Sequence, residues 1–212
     1  MGVGHRSVTS GLLVSLEGLD GVGKTTQIAR LKEWLEGQVA EVMTVREPGG
    51  TALGEALREV VLHRAEAGSA IAEFLVFAAA RAELIETVVL PVLSRQGAVL
   101  MDRFIDSSVA YQAFGRGLDP QTILEINAIV TQGRTPNLTI WLKGEPFPSG
   151  EADRLEQRDQ EYFRRVESGY AWLADREPER WLILESRQDP DVIFDAICRR
   201  IDIVLQGMKG GE

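Results

Sequence analysis

Gly18-Leu-Asp-Gly-Val-Gly-Lys-Thr25 is the stretch that decides the fold. It satisfies the spacing Gly-x4-Gly-Lys-Ser/Thr, and its surroundings are the ones the pattern needs. Upstream, Leu12-Leu-Val-Ser-Leu-Glu17 is an apolar run of strand length. Downstream, Ile28, Leu31, Trp34 and Leu35 recur at helical spacing. A loop between a strand and a helix start can wrap phosphate with its backbone N–H groups, while the helix N-terminus adds partial positive charge. On that reading Gly18, Gly21, Val22, Gly23 and Thr26 form the cradle, Lys24 reaches terminal phosphates, and Thr25 can ligate Mg²⁺.

The rest of the chain extends the pattern. Strands are expected at 41–46, 97–101, 138–142 and 181–185, and helices at 52–63, 70–90, from 107, from 119, at 157–173 and at 191–205. Asp119-Pro120 reads as an N-cap followed by a first-turn proline. Pro91 marks the helix from 70 without necessarily ending it. Five strands alternating with helices predict a three-layer α/β domain around a mainly parallel sheet. The expected domain runs over 12–206, with flexible tails at 1–11 and 207–212 and an aperiodic loop opening at Lys143.

Composition narrows the function. With 23 basic against 32 acidic residues and a net charge of −9, the chain has no positive field to gather nucleic acid or anionic lipid. One cysteine, Cys198, and two histidines, His5 and His63, leave little for a disulfide framework or a zinc site. No apolar run is long enough to span a bilayer, so a cytoplasmic protein is expected.

A phosphate loop alone does not choose among hydrolase, kinase and switch. Other residues narrow the choice. Asp20 works against phosphate binding unless it serves a hydroxyl of a second substrate. Arg46 closes the second strand, at the sheet edge where open α/β folds bind ligands. Phe77 and Arg81 lie four apart on one helix, an aromatic plate beside a planar donor that suits a base. Met101-Asp102-Arg103 ends a strand with an acid for Mg²⁺ and an arginine for phosphate.

Taken together, Glu17-Gly-Leu-Asp-Gly-Val-Gly-Lys-Thr-Thr26, Arg46-Glu-Pro-Gly-Gly50, Phe77-Ala-Ala-Ala-Arg81, Asp102-Arg-Phe104, Ser107-Ser-Val-Ala-Tyr-Gln112 and Gly115-Arg-Gly117 resemble the bacterial thymidylate kinases. The resemblance implies a P-loop NTPase-type domain with a five-stranded parallel sheet. It also implies Mg²⁺-dependent transfer from ATP to dTMP, and a homodimer. By resemblance, Asp20 takes the 3′-hydroxyl, Phe77 stacks on thymine and Arg81 bonds its O4. Arg46 and Arg103 hold the acceptor phosphate, while Asp102 organises Mg²⁺ and the attacking oxygen. Ser107, Tyr111 and Gln112 line the base and sugar pocket. Gly115-Arg116-Gly117 has no assigned role beyond a turn.

The chain departs from the family over its lid, about 143–158. Lys143 stands where the family commonly has Asp, and Gly144 to Ala152 contains no arginine, although Asp153-Arg-Leu-Glu156 is retained. The phosphate loop carries no arginine either, so Arg154, with Arg158 second, is expected to meet the transition-state charge. A kinase for another nucleotide, or a nucleotide-binding protein of weak catalysis, are the alternatives this leaves open.

Overall fold

The computed structural model describes residues 11–64, 69–144 and 160–209. The five strands are β1 (Leu12–Glu17), β2 (Val42–Arg46), β3 (Ala98–Asp102), β4 (Leu138–Lys143) and β5 (Trp181–Glu185). They form one sheet of order β2-β3-β1-β4-β5, and every pairing is parallel. β1 is buried along its whole length, as a central strand covered on both faces must be. Its alternate residues feed two cores: Leu12, Val14 and Leu16 join one cluster, and Leu13 joins the other.

Register brings the chemistry to one edge. Asp102 pairs with Leu16 on one side and with Arg46 on the other, so β1, β2 and β3 end together where the phosphate loop begins. The helix after that loop, α1 (Lys24–Leu35), buries Ile28, Leu31 and Leu35 against the sheet.

The remaining helices are α2 (Ala52–Glu59), α3 (Ala70–Leu84), α4 (Leu90–Ser94), α5 (Ile105–Ser108), α6 (Pro120–Val130), α7 (Gln160–Arg176) and α8 (Pro190–Lys209). Asp119 caps α6 as expected, its carboxylate accepting from the Thr122 N–H at 2.9 Å. The helix expected over 70–90 continues past Pro91, through a π-helical stretch, Ile85–Val89, that joins α3 to α4. Proline offers no N–H and crowds the carbonyl four residues back, and a wider turn there accommodates both. Two further π-helical stretches, Val60–Arg64 and Val109–Gly115, extend α2 and α5. Two boundaries differ from the sequence reading: Gly11 is buried against β3's neighbourhood rather than in a tail, and α8 continues through Lys209. The expected lid lies mostly outside the described residues, and Arg154 and Arg158 wholly so.

Candidate active site

Glycine is required where the phosphate loop leaves β1 and where it enters α1. Gly18 (φ 131°) and Gly23 (φ 97°) both adopt conformations that side chains disfavour. A Cβ on Gly18 would also sit 2.4 Å from the Leu142 carbonyl oxygen. Gly21, Gly23, Lys24, Thr25 and Thr26 line one cavity together with Asp20 and Asp102. Val22 is buried beneath the loop and lines a neighbouring cleft.

Lys24 folds back over the loop, donating from Nζ to the Leu19 carbonyl at 2.8 Å. Its Nζ stands 3.8 Å from Asp20 and 4.0 Å from Asp102. Burial, reinforced by the nearby Arg103 charge, pushes its ammonium down to about 8. The Thr25 hydroxyl donates to Asp102 at 3.3 Å, which places two hard oxygen donors side by side at the end of the loop.

A second pocket opens from the same place. Asp20 belongs to its wall as well, and the wall continues through Phe77, Arg81, Arg103, Ser107, Tyr111 and Gln112. Seven residues expected from the sequence for the acceptor therefore surround one space. Arg46 is not among them: it lies exposed at the end of β2, with its Nη2 3.1 Å from Glu55. Arg58, Leu62, Glu47, Pro48, Phe104 and Ser108 complete the wall, and sequence reasoning assigned none of the six to it.

Arg103 stands beside Asp20, the residue that lines both spaces. It adopts φ 68°, a left-handed conformation rare for a residue with a side chain. Its guanidinium donates to Asp20 at 2.7 Å and to Ser107 at 3.3 Å, and lies 4.9 Å from the centre of the Tyr111 ring. Burial opposes ionisation of Asp20, but the charges of Arg103 and Lys24 outweigh it and hold the carboxyl below its ordinary range.

Arg81 is almost wholly enclosed. Its guanidinium donates to Glu47 at 2.8 Å, Asn127 at 2.6 Å, Ser108 at 3.0 Å and the Phe104 carbonyl at 3.2 Å. Arginine has five N–H groups, so these bonds leave one on Nη1, on a side chain that lines the pocket.

Beneath Arg103 lies a polar network that the sequence reading did not foresee. Glu17, fully buried, accepts from the Ser107 hydroxyl at 2.5 Å, the Phe104 N–H at 2.9 Å and the Tyr170 hydroxyl at 3.2 Å. Burial first, then the negative charge of Asp106, pushes its carboxyl up to about 7. Asp106 is itself clamped by Arg180 at 2.7 Å and 2.9 Å. Glu17 carried a signal, because a carboxylate on an inward face of an apolar central strand needs buried partners.

On the far side of the phosphate loop, Gly21, Val22, Gly23, Leu142 and the stretch Ser186 to Pro190 enclose a cleft. The arrangement is thus an anion cradle with one pocket on either side. No three His, Cys, Asp or Glu side chains cluster as a metal site among the described residues. Among them, too, no helix is long and apolar enough to cross a membrane.

Known proteins are similar to this chain in sequence and in fold. The thymidylate kinase family model matches residues 16–197. The thymidylate kinase of Deinococcus radiodurans is 44% identical over 191 residues, covering 87% of this chain and 93% of that one. That of Chlorobaculum tepidum is 38% identical over 207 residues, covering 90% and 97%. The crystal structure of thymidylate kinase from Ehrlichia chaffeensis superposes with a TM-score of 0.77 at 30% identity, over 90% of this chain and 98% of that one.

Proposed function

The chain belongs to the thymidylate kinase family, phosphotransferases that use ATP to phosphorylate dTMP in nucleotide biosynthesis, and from that premise we propose which side chains carry the reaction. The observation that supports the assignment is that Asp20 and Arg103 join the phosphate cradle to the Phe77 pocket. Donor and acceptor phosphates can then meet in line, and positioning with charge neutralisation is most of what phosphoryl transfer needs.

ATP phosphates lie on the N–H groups of the Gly18 to Thr26 loop, with the adenosine in the cleft beside Ser186 to Pro190. Lys24 exchanges the Leu19 carbonyl for terminal phosphate oxygens. Thr25 and Asp102 fit Mg²⁺, since both offer oxygen, and so small a donor set suits an ion that keeps several waters and binds phosphate. Bound there, Mg²⁺ neutralises phosphate charge.

In the acceptor pocket Phe77 stacks on thymine, the remaining Arg81 N–H donates to O4, and Ser107, Tyr111 and Gln112 close around base and sugar. Asp20 accepts from the 3′-hydroxyl. Arg103 holds the acceptor phosphate, and Arg46 joins it by leaving Glu55. Arg154, with Arg158 as second candidate, meets the transition-state charge. The protein works in the cytoplasm as a homodimer. Leu53 on α2, Val60 just after it, and Ile71 and Leu75 on α3 support the dimer, being between 38% and 49% exposed on segments that pack together.

Steady-state kinetics test the assignment. Phe77→Ala raises KM for dTMP at least about tenfold with KM for ATP little changed, as loss of a stacked base does. Thr25→Ala raises the Mg²⁺ concentration needed for half-maximal rate. Equal effects of Phe77→Ala on both substrates would remove Phe77 from the base pocket.

A further inference from the structure

Glu73, Phe77 and Arg81 follow one another at four-residue intervals, so all three line the same side of α3. Phe77 and Arg81 belong to the pocket wall, whereas Glu73 stands one turn back, with only 4% of its side chain exposed. A carboxylate so deeply placed needs donors. Arg116, from the Gly115-Arg116-Gly117 turn, pairs with its Oε2, and the Gln112 side-chain amide donates to its Oε1 at 3.2 Å.

The second bond carries the argument. An ionised carboxylate only accepts hydrogen bonds, so the group that Gln112 offers it must be the amide nitrogen. The amide oxygen is then turned away from Glu73, as an acceptor for whatever occupies the pocket that Gln112 lines. Arg81 lines the same pocket, and Asn127 takes only one of the two N–H groups on its Nη1, which leaves a donor. Thymine presents an O4 acceptor and an N3–H donor along its pairing edge, and it matches both. Cytosine presents an N4–H₂ donor and an N3 acceptor, and it opposes both.

We propose that Glu73, anchored by Arg116, is a positioning residue that fixes the Gln112 amide and through it the choice of thymine over cytosine. The proposal rests on the reading of this pocket as the dTMP site. It assigns a purpose to Arg116, which gives the Glu73 carboxylate a fixed counter-charge. It also separates bases by hydrogen-bond polarity alone, so dTMP and dUMP are not distinguished by it.

Glu73→Gln turns the device round. Arg116 still demands an acceptor, so the new amide gives its oxygen to Arg116 and its nitrogen to Gln112. Gln112 then reverses and shows a donor to the base. The experiment compares kcat/KM for dTMP, dCMP and dUMP in the full-length enzyme, its Glu73→Gln and Glu73→Asp variants, and Gln112→Ala. Glu73→Gln is expected to lower the dTMP-to-dCMP ratio by about tenfold or more, as loss of one matched base contact does, and to leave dTMP-to-dUMP unchanged. Glu73→Asp falls short of Gln112 and gives a smaller drop in the same direction, so whichever variant folds decides. These ratios do not depend on the active fraction, and a merely structural role for Glu73 would lower turnover of all three acceptors alike. A dTMP-to-dCMP ratio kept by the Glu73 variants but lost in Gln112→Ala overturns the proposal alone. A ratio kept by Gln112→Ala as well overturns the reading of the pocket, and the proposal with it.

Discussion

Arg81 and Glu47 form a closed ion pair under the acceptor pocket, Nη2 to Oε2 at 2.6 Å, with 1% and 3% of their side chains exposed. Burial holds the Glu47 carboxyl up even against the Arg81 charge. On the proposed reading Arg81 has two duties: one N–H serves the base, and the remainder of the guanidinium holds Glu47, Asn127 and the residue before α5 in place.

Arg81→Ala leaves the Glu47 carboxylate buried without its counter-charge, and about 3–5 kcal/mol of stability is expected to go with it. The sign with pH follows from the proton. An unpaired Glu47 has a folded pKa above its unfolded one, so stability is retained at low pH and lost as pH rises through the folded value. Urea melts at pH 5 and pH 8 should show the larger loss at pH 8. An equal loss at both would mean that Glu47 is not the group left exposed to the penalty.

Lys24 predicts a second pH effect. Its charged form binds phosphate, and in the free enzyme that form gives way above about 8. The profile of kcat/KM for ATP reports the free enzyme, so it should fall above about pH 8, with kcat holding to higher pH because bound phosphate restores the ammonium. A profile flat to pH 9.5 would contradict the burial of Lys24. Lys24→Ala should cost about 10² or more in kcat with the circular dichroism of the native fold kept.

Local spacing made the cradle legible. Gly18, Gly23, Lys24 and Thr25 lie within eight residues, and Phe77 and Arg81 share one helix side, so periodicity alone could place them. That the sheet is parallel followed from the strand and helix alternation; the order of its strands did not. The supporting polar pairs were not legible. Arg81 meets Glu47 across 34 positions, Arg116 meets Glu73 across 43, and Arg180 meets Asp106 across 74. No sequence period links such partners; the fold alone brings them together. The sequence equally gave no warning that Arg46, in register with Asp102, would turn to Glu55.

Glu17 offers a stability test independent of catalysis. Its carboxyl is raised from 4.5 to about 7 in the folded chain. The folded state therefore holds this proton longer than the unfolded state, and stability falls as pH rises from about 4.5 to 7. Glu17→Gln cannot titrate, so its stability should vary less across that window. A slope equal to that of the parent would place the titrating proton elsewhere.

The apolar face of α2 and α3 predicts assembly. Leu75 is 48% exposed, and with Leu53 and Ile71 it places large apolar side chains in solvent on two helices that pack together, as an interface patch would. Sedimentation equilibrium should find a dimer for the parent chain and a monomer for Leu75→Glu. A monomeric parent would contradict the homodimer.

Transfer from ATP to dTMP is the central claim, and acceptor-dependent ADP formation measures it most directly. Purified protein with ATP and Mg²⁺ would be offered dTMP, dUMP, dCMP, dGMP and dAMP in turn, with Lys24→Ala as control. ADP release that depends on dTMP, is weak with dCMP and the purines, and disappears in the control is the expected result. Tight binding of dTMP with no ADP formed from any acceptor would contradict the account, and would leave the chain a nucleotide-binding protein.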